Sequence, residues 1–289
     1  MAPLRASVYV APPIPWYKPN GTEGGPWSPI SCTLVYGATE AVLIDTPITK
    51  QQNIELADWI KTTIPGIKLK YIYITHGHGD HWFGTNYLQQ RFPGVKVIAT
   101  QGTIQHMKDD ARSFPKSWGV QFPNMIDTDF VYADAITETF TVDNEQFIPT
   151  EVGHTDTNDS TILWVPSIRL AVCGDVVYGD CHQFLAKANT AALRAEWIAA
   201  VEKVENLRPE LVVPGHMRPG EVPGVWHLAK TKQYLRDFDR LVVGGQAKTP
   251  RELSKLMTEL WPTRFNMGAL AGGCGAAFPR PAKKAGGKL

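Results

Sequence analysis

One segment constrains this chain more than any other: Thr75-His76-Gly77-His78-Gly79-Asp80-His81-Trp82. It follows the strand-like run 69–75 and precedes a predicted helix at about 82–91. Three imidazoles and one carboxylate within six residues cannot share one face of a helix or strand, so we predict a loop that curls around a ligand. Neutral imidazole and carboxylate are good ligands for zinc and its neighbours. The segment therefore indicates a metal site.

Further donor residues lie where other predicted strands end. His154 precedes a predicted strand, Asp175 follows one, and His216 comes directly after the short apolar run 211–213. Sites on sheet proteins form where strand ends pass into loops, so these side chains are candidates for the same site. The remaining histidines lack this setting. His106 and His227 are interpreted as structural, and a substrate-facing role for His182 is left open.

The hydrophobic pattern predicts two groups of strands, each followed by helices. The expected elements are a hairpin over 31–45, a helix over 50–63, strands at 95–99, 146–152, 161–166 and 169–173, and helices at 190–207, 225–243 and 249–261. Because no linker separates the groups, we expect one domain over residues 1–267, including C-terminal helices over 225–261. Residues 11–30, rich in Pro, Gly and Trp, are expected to form a loop arm, and residues 268–289 a flexible tail.

Composition excludes several classes of partner. The 289 residues include 29 Lys and Arg and 28 Asp and Glu, for a net charge of +1. Nucleic-acid binders and polybasic membrane-surface proteins usually carry a clear basic excess, so neither is expected. The cysteines form no CxxC pair, and no apolar run approaches the length needed to span a bilayer. These features predict a cytoplasmic protein.

Four motifs in order, T-H-x-H-x-D-H, G-H-T, G-D and P-G-H, resemble those of the metallo-β-lactamase-fold hydrolases, over residues 31 to about 218. The resemblance implies an α/β fold, an αββα sandwich of two mixed sheets flanked by helices, with a dinuclear metal site. It also implies the ligands: His76, His78 and His154 for the first metal, Asp80, His81 and His216 for the second, and Asp175 bridging. Two Zn²⁺ ions are implied, with Mn²⁺ or Fe²⁺ as alternatives.

The bridging position has one competitor, Cys173, because lactamases that destroy penicillins often place a cysteine on this strand. Cys173 and Asp175 are two residues apart and would share a face of a regular strand. The G-D pattern at the strand end favours Asp175, with Cys173 as a small buried apolar residue. This arrangement is similar to the lactonase, thioesterase and glyoxalase-like branches.

The mechanism implied by the resemblance is attack of a zinc-bound hydroxide on a carbonyl. Asp80 or a metal-bound water is the candidate proton donor to the leaving group. Tyr178 is a candidate oxyanion donor, with simple packing as its alternative role. Thr155, Asp156, Asp159 and Ser160 are expected to orient ligands or cap the turn.

A small apolar pocket is expected from the loop arm, from Trp82 and Phe83, and from the segment 113–132 with its aromatic residues Phe114, Trp118 and Phe122. Such a pocket, and the similarity to fungal lactamase- and lactonase-like members, favour opening of a cyclic amide or carbamate, such as a γ-lactam or benzoxazolinone, in xenobiotic degradation. Alternatives are a lactonase or thioesterase, a mononuclear iron persulfide dioxygenase, a nuclease or a non-catalytic binding module. The expected partner is a small-molecule substrate, with the chain as a monomer or homodimer.

Overall fold

The computed structural model describes residues 3–278. Its strands are β1 (Arg5–Ala11), β2 (Pro15–Tyr17), β3 (Glu23–Pro26), β4 (Ile30–Tyr36), β5 (Glu40–Ile44), β6 (Lys68–Tyr73), β7 (Lys96–Ala99), β8 (Asp134–Ala135), β9 (Phe140–Val142), β10 (Glu145–Gly153), β11 (Ser160–Val165), β12 (Leu170–Val172) and β13 (Leu211–Val213). Its α-helices are α1 (Lys50–Thr63), α2 (Thr85–Arg91), α3 (Gln101–Ser113), α4 (Trp118–Gln121), α5 (Ala191–Asn206), α6 (Trp226–Val242), α7 (Pro250–Leu260) and α8 (Met267–Ala277).

The strands form two mixed sheets and one small hairpin. The first sheet has the order β1-β4-β5-β6-β7-β8, and the second has the order β13-β12-β11-β10-β9. In the first sheet, β5 runs parallel to β6 and β6 parallel to β7, whereas β1 and β5 are antiparallel to β4. In the second sheet, β12 and β13 are parallel and the other pairs are antiparallel. Parallel neighbours end at the same edge, which brings the residues that follow them together.

Three hydrophobic layers hold the sheets and helices together. Strand β5 shows why: its alternate residues face opposite sides, so Val42 and Ile44 join the layer between the sheets, while Ala41 and Leu43 pack toward α1. The outer layer on the second sheet is formed with helices α5 to α8. The order helix, sheet, sheet, helix is the αββα sandwich that the sequence predicted.

Two segments differ from expectation. The expected loop arm over 11–30 contains the β2–β3 hairpin, in which the ring of Trp16 lies where a Cβ on Gly24 would sit. The expected tail from 268 begins as helix α8, because Asn266 caps it by accepting from the amide of Ala269 (3.0 Å), and its apolar face packs in the core. The remainder of the expected tail, 279–289, lies outside the described residues.

The four cysteines are buried and free. Among residues 3–278, no helix is both long and apolar enough to cross a membrane.

Candidate metal centre

The motif loop is anchored by Asp45, which directly follows β5. Asp45 accepts hydrogen bonds from the Thr75 amide (2.9 Å) and the Thr75 hydroxyl (2.8 Å). Its Oδ2 also lies 3.0 Å from Nδ1 of His81. Because β5 and β6 are parallel neighbours, their ends bring Asp45 to the motif. Sequence reasoning missed Asp45; its signal is an aspartate at the end of an apolar strand.

Gly77 is required in this loop by close packing. A Cβ there would lie 2.3 Å from the Cβ of His106 on α3. Its φ is not among the positive values of this backbone, so close packing and not a left-handed conformation requires glycine here. The loop is therefore packed closely against α3.

The second sheet supplies donors from separate strand ends. Asp175 lies in a 3₁₀ turn after β12, and His216 follows β13, the parallel neighbour of β12. Nε2 of His216 lies 3.2 Å from Oδ2 of Asp175, and Nε2 of His81 lies 3.2 Å from Oδ1 of Asp175. The two Nε2 atoms are 3.4 Å apart. The two sheets thus meet around the Asp175 carboxylate.

Three of the imidazoles share one orientation. Nδ1 lies 3.0 Å from the Thr75 hydroxyl in His76, 3.0 Å from Asp45 in His81, and 2.9 Å from the Pro29 carbonyl in His216. An oxygen partner at Nδ1 leaves the Nε2 lone pair directed away from it, the usual arrangement of a metal-binding histidine.

The described residues contain three groups of donor atoms, and the atoms within each group all lie within 4.8 Å of one another. The groups are His76, His78, Asp156 and Asp175; Asp45, His76 and His81; and Asp80, His81 and His216. Apart from His78, which is partly exposed, all of these residues are buried. Nε2 of His76, Oδ2 of Asp156 and Oδ1 of Asp175 are buried without a hydrogen-bond partner. Buried polar atoms are rarely left unsatisfied, so this arrangement fits divalent cations.

The structure brings together six of the seven predicted ligands, and His154 falls outside the three groups. Its Nδ1 donates to Oδ1 of Asn158 (2.6 Å), while its Nε2 is buried without a hydrogen-bond partner. Asp156, predicted only to orient ligands, occurs in a donor group instead. Cys173 is in none of them: its thiol donates to the Ala171 carbonyl, and burial raises its pKa.

Burial and neighbouring charges shift the pKa values of the donor residues strongly. Burial, assisted by the neighbouring His81, lowers the pKa of His76 to about 4. Burial also acts to lower the pKa of His78, but the charges of Asp156, Asp110 and Asp80 outweigh it and raise this pKa to about 9. Without a metal, the centre therefore retains protons that cation binding must displace.

Neighbouring groups hold Asp175 in its charged form. Burial opposes its charge, yet His216 and His81 outweigh burial and hold its pKa well below the usual range. The Tyr178 hydroxyl also donates to Oδ2 of Asp175. The Tyr178 ring is buried and stacks on His216, with centroids 5.3 Å apart. Tyr178 thus orients the Asp175 carboxylate; its predicted role as oxyanion donor stays a prediction.

Asp80 is held by the N-terminal segment. Its Oδ2 accepts from the indole Nε1 of Trp27 (3.1 Å) and lies 3.8 Å from Nε2 of His216. The Trp27 ring contacts Trp118 and Phe122 edge-on, with centroids 5.4 Å away in each case. This contact between the arm and a candidate ligand was missed by sequence reasoning.

The expected apolar pocket is not where the aromatic residues lie. Trp82, Phe83, Trp118 and Phe122 are buried against one another in the layer outside the first sheet, because they bury more apolar surface there than at a pocket wall. A cavity of about 470 Å³ beside the centre is instead lined mainly by polar and charged residues, which include His78, His106, Asp110, His154, Asn158 and Lys187. This corrects the expectation of an aromatic substrate pocket.

Two other histidines serve as structural residues. Nδ1 of His182 lies 2.9 Å from the Tyr234 hydroxyl, and Nε2 of His227 donates to the Val222 carbonyl (3.0 Å). Neither belongs to a donor group, so the substrate-facing role left open for His182 finds no support in its contacts.

Known proteins are similar to this chain in sequence and fold. A model of the metallo-beta-lactamase superfamily matches residues 25–216. Metallo-beta-lactamase type 2 of Bacteroides fragilis is 25% identical over 218 residues, which cover 75% of this chain and 79% of the relative. The solved structure of VMB-1 at pH 5.5 is similar with a TM-score of 0.57 and 26% identity, over 82% of this chain and 98% of that one. A solved structure of a metallo-beta-lactamase from Pontibacter korlensis has a TM-score of 0.52 at 22% identity, over 81% of this chain and 99% of that one.

The fold and site define an αββα protein whose histidine and aspartate cluster is able to hold a divalent metal. The chain belongs to the metallo-β-lactamase superfamily.

Proposed function

We propose that this chain is a metal-dependent hydrolase that holds two zinc ions in the donor groups and opens a small cyclic amide or carbamate. One observation carries the proposal: buried donor atoms of His76, Asp156 and Asp175 converge without hydrogen-bond partners. Beside them, Nε2 atoms of His81 and His216 lie 3.2 Å from Asp175. Such a set of imidazoles and carboxylates suits zinc.

Divalent ions held by these residues would lower the pKa of a bound water to about 7 and would polarise a carbonyl oxygen. The protein's own residues fix the geometry. Tyr178 and the two imidazoles hold the Asp175 carboxylate from both sides. Trp27 holds Asp80 beside His216, and these contacts support the proposal that the Asp80 carboxylate carries a proton to the leaving group.

The adjacent cavity supports a small substrate. Its volume of about 470 Å³ lies within the usual range of small-molecule pockets, and His78 belongs both to its wall and to a donor group. Its polar lining favours a ring that carries hydrogen-bonding groups. The curated relative is named a lactamase, which supports cleavage of a carbon–nitrogen bond.

The test combines metal analysis with a substrate panel. We expect about two zinc ions per chain and turnover of a γ-lactam or benzoxazolinone in preference to a homoserine lactone or a thioester. His78→Ala should lose metal and turnover together, because it removes a donor. The matched control is His182→Asn, which alters a buried histidine outside the donor groups and should keep both.

Three outcomes would contradict the proposal. Turnover of esters or thioesters alone would replace the amide with a lactone or thioester substrate. About one iron per chain with oxygen consumption would replace hydrolysis with dioxygenation. Full activity in the absence of bound metal would remove the metal from the mechanism.

A further inference from the structure

Three consecutive residues of the N-terminal segment, the tripeptide Trp27-Ser28-Pro29, hold two candidate ligands of the metal centre. The indole Nε1 of Trp27 donates to Oδ2 of Asp80 (3.1 Å). The Pro29 carbonyl accepts from Nδ1 of His216 (2.9 Å). Asp80 and His216 belong to the same donor group. The position of the tripeptide therefore fixes two donors of one group at once.

The middle residue of the tripeptide is held from the C-terminal part of the chain. Nδ2 of Asn266 donates to the Ser28 hydroxyl oxygen (2.6 Å), and both side chains are buried. Asn266 precedes helix α8, and its Oδ1 accepts from the amide of Ala269 (3.0 Å). Because that amide can only donate, Oδ1 faces the helix and Nδ2 faces Ser28. A single side chain thus caps the helix and contacts the tripeptide.

The backbone at Asn266 restricts which residue can make both contacts. Its φ is +63°, in the left-handed region. Asn, Asp and Gly adopt this region most readily and also suit a helix N-cap. Of these three, only asparagine has an N–H donor in its side chain. The local conformation therefore indicates that the contact with Ser28 depends on asparagine.

The segment directly before helix α8 is itself anchored to the second side of the molecule. The Phe265 amide donates to the Asp180 carbonyl (2.9 Å), and the His182 amide donates to the Phe265 carbonyl (2.8 Å). Nη1 of Arg264 donates to the Cys181 carbonyl (2.6 Å). Three hydrogen bonds thus join this segment to the loop that follows the Asp-containing turn after β12. The capping asparagine therefore has a fixed support.

We propose that Asn266 is a positioning residue of the metal centre. Through Ser28 it fixes the tripeptide, which holds Asp80 and His216. This inference rests on the proposed use of metal. It concerns a residue outside the part of the chain that matches the family model, residues 25–216. It gives the C-terminal helices a role in metal binding that the four sequence motifs do not include.

The first test measures the affinity for zinc. Metal-free protein is titrated with Zn²⁺ in competition with a chromophoric chelator, for the wild type, Asn266→Gly, Ser28→Ala and the double variant. Glycine suits both the left-handed backbone and the N-cap, so Asn266→Gly removes the contact at little other cost. We expect each single variant to weaken one of two zinc equivalents about 10-fold and to keep the other, because the tripeptide holds one donor group.

The double variant tests whether the two side chains act together. Asn266→Gly and Ser28→Ala break the same contact, so their effects should not add. The double variant should therefore weaken the same zinc equivalent by no more than either single variant does. Additive losses would mean that the two residues affect the centre independently, which would overturn the proposed connection.

The matched control is Thr249→Gly. Thr249 caps the neighbouring helix α7 by accepting from the amide of Glu252 (3.2 Å). Its replacement removes a cap from a C-terminal helix but leaves the contact between Asn266 and Ser28 in place. It should bind both zinc equivalents as the wild type does. Equal weakening in Thr249→Gly would mean that lost helix stability, and not the contact with Ser28, lowers the affinity.

A second test needs no metal. The exchange of the Trp27 indole proton with deuterium, followed by NMR, reports how firmly the tripeptide is held, and Trp27→Phe assigns its signal. We expect about 10-fold faster exchange in metal-free Asn266→Gly and in Ser28→Ala, and wild-type exchange in Thr249→Gly. Ser28→Ala removes only one hydroxyl, so both tests hold even if Asn266→Gly fails to fold.

Wild-type zinc affinity in Asn266→Gly and Ser28→Ala would overturn the positioning role, as would an unchanged exchange rate. A wild type that binds no zinc would instead overturn the proposed function, and the exchange rate would then decide whether Asn266 holds the tripeptide.

Discussion

On the side of the first sheet, four candidate ligands lie within the six residues from His76 to His81, and Asp45 fixes their loop. On the side of the second sheet, Asp156, Asp175 and His216 come from three separate strand ends. A contiguous motif leaves its donors few alternative positions. Donors on separate loops depend on how each turn is closed, and there the structure and the motifs disagree over His154 and Asp156.

The largest expected effect comes from the point where the two sides touch. Gly174, which precedes Asp175, has a φ of +48°, and a Cβ there would lie 2.2 Å from the Thr75 hydroxyl oxygen. We expect Gly174→Ala to lower the free energy of unfolding by about 4 kcal/mol, through steric overlap and a left-handed backbone. Urea unfolding with a chelator present measures this.

Gly220→Ala is the control for Gly174→Ala. Gly220 also has a positive φ (+79°), but a Cβ there meets no atom within 4 Å. It should therefore lose only about 1 kcal/mol. Equal losses of unfolding free energy in the two variants would mean that steric overlap with Thr75 adds nothing to the cost of the left-handed backbone.

The next largest effect concerns His182, a buried histidine that belongs to none of the donor groups. Burial and the charge of Arg264 lower the pKa of His182 to about 4, and its exposure is 1%. An unfolded histidine has a pKa of about 6.5, so between these values the unfolded chain binds a proton that folded His182 does not. The folded state should lose about 3 kcal/mol as the pH falls through this window, and retain the full contribution above it.

His182→Asn removes this titration. Without metal, the difference in unfolding free energy between the variant and the wild type should change by that amount between pH 7 and pH 4. Parallel curves for the two proteins would show that His182 does not titrate in this way.

The smallest effect concerns the arm. Trp27→Phe keeps an aromatic ring against Trp118 and Phe122 but removes the donor to Asp80. We expect about a 10-fold loss of zinc affinity, measured by competition with a chromophoric chelator. Trp16→Phe is the control, because Nε1 of Trp16 donates to no group, and it should bind zinc as the wild type does. An unchanged zinc affinity in Trp27→Phe would show that the arm does not contribute to metal binding.

The sequence predicts the sandwich and the motif side well, because strand runs and the histidine motif are local patterns. Asp45 and Trp27 escape prediction because their roles depend on contacts between distant elements. The Asp45 contacts with Thr75 and His81 join residues separated by 30 and 36 positions, and Trp27 reaches Asp80 across 53.

The expectations for the segment that forms helix α8 and for the aromatic residues around Phe122 differ from the structure for a related reason. The segment Met267–Ala277 is rich in glycine, which disfavours a helix, but Leu270 and Cys274, one turn apart, are buried in the core. Tertiary packing therefore outweighs propensity. Likewise Phe122 looks like a pocket residue in an irregular segment until the fold buries it against Trp118 and Trp27.

The 3.4 Å approach of His81 to His216 joins residues 135 positions apart in the chain. A cation bound at this point would act as a removable cross-link, which would restrict the chain much as closure of a long loop does. A cation that bound the folded state preferentially would stabilise it, so under the proposed function metal supply would set how long the chain remains folded as well as whether it turns over substrate. Withdrawal of the metal would then expose the protein to proteolysis, so the cell's metal supply would govern its lifetime.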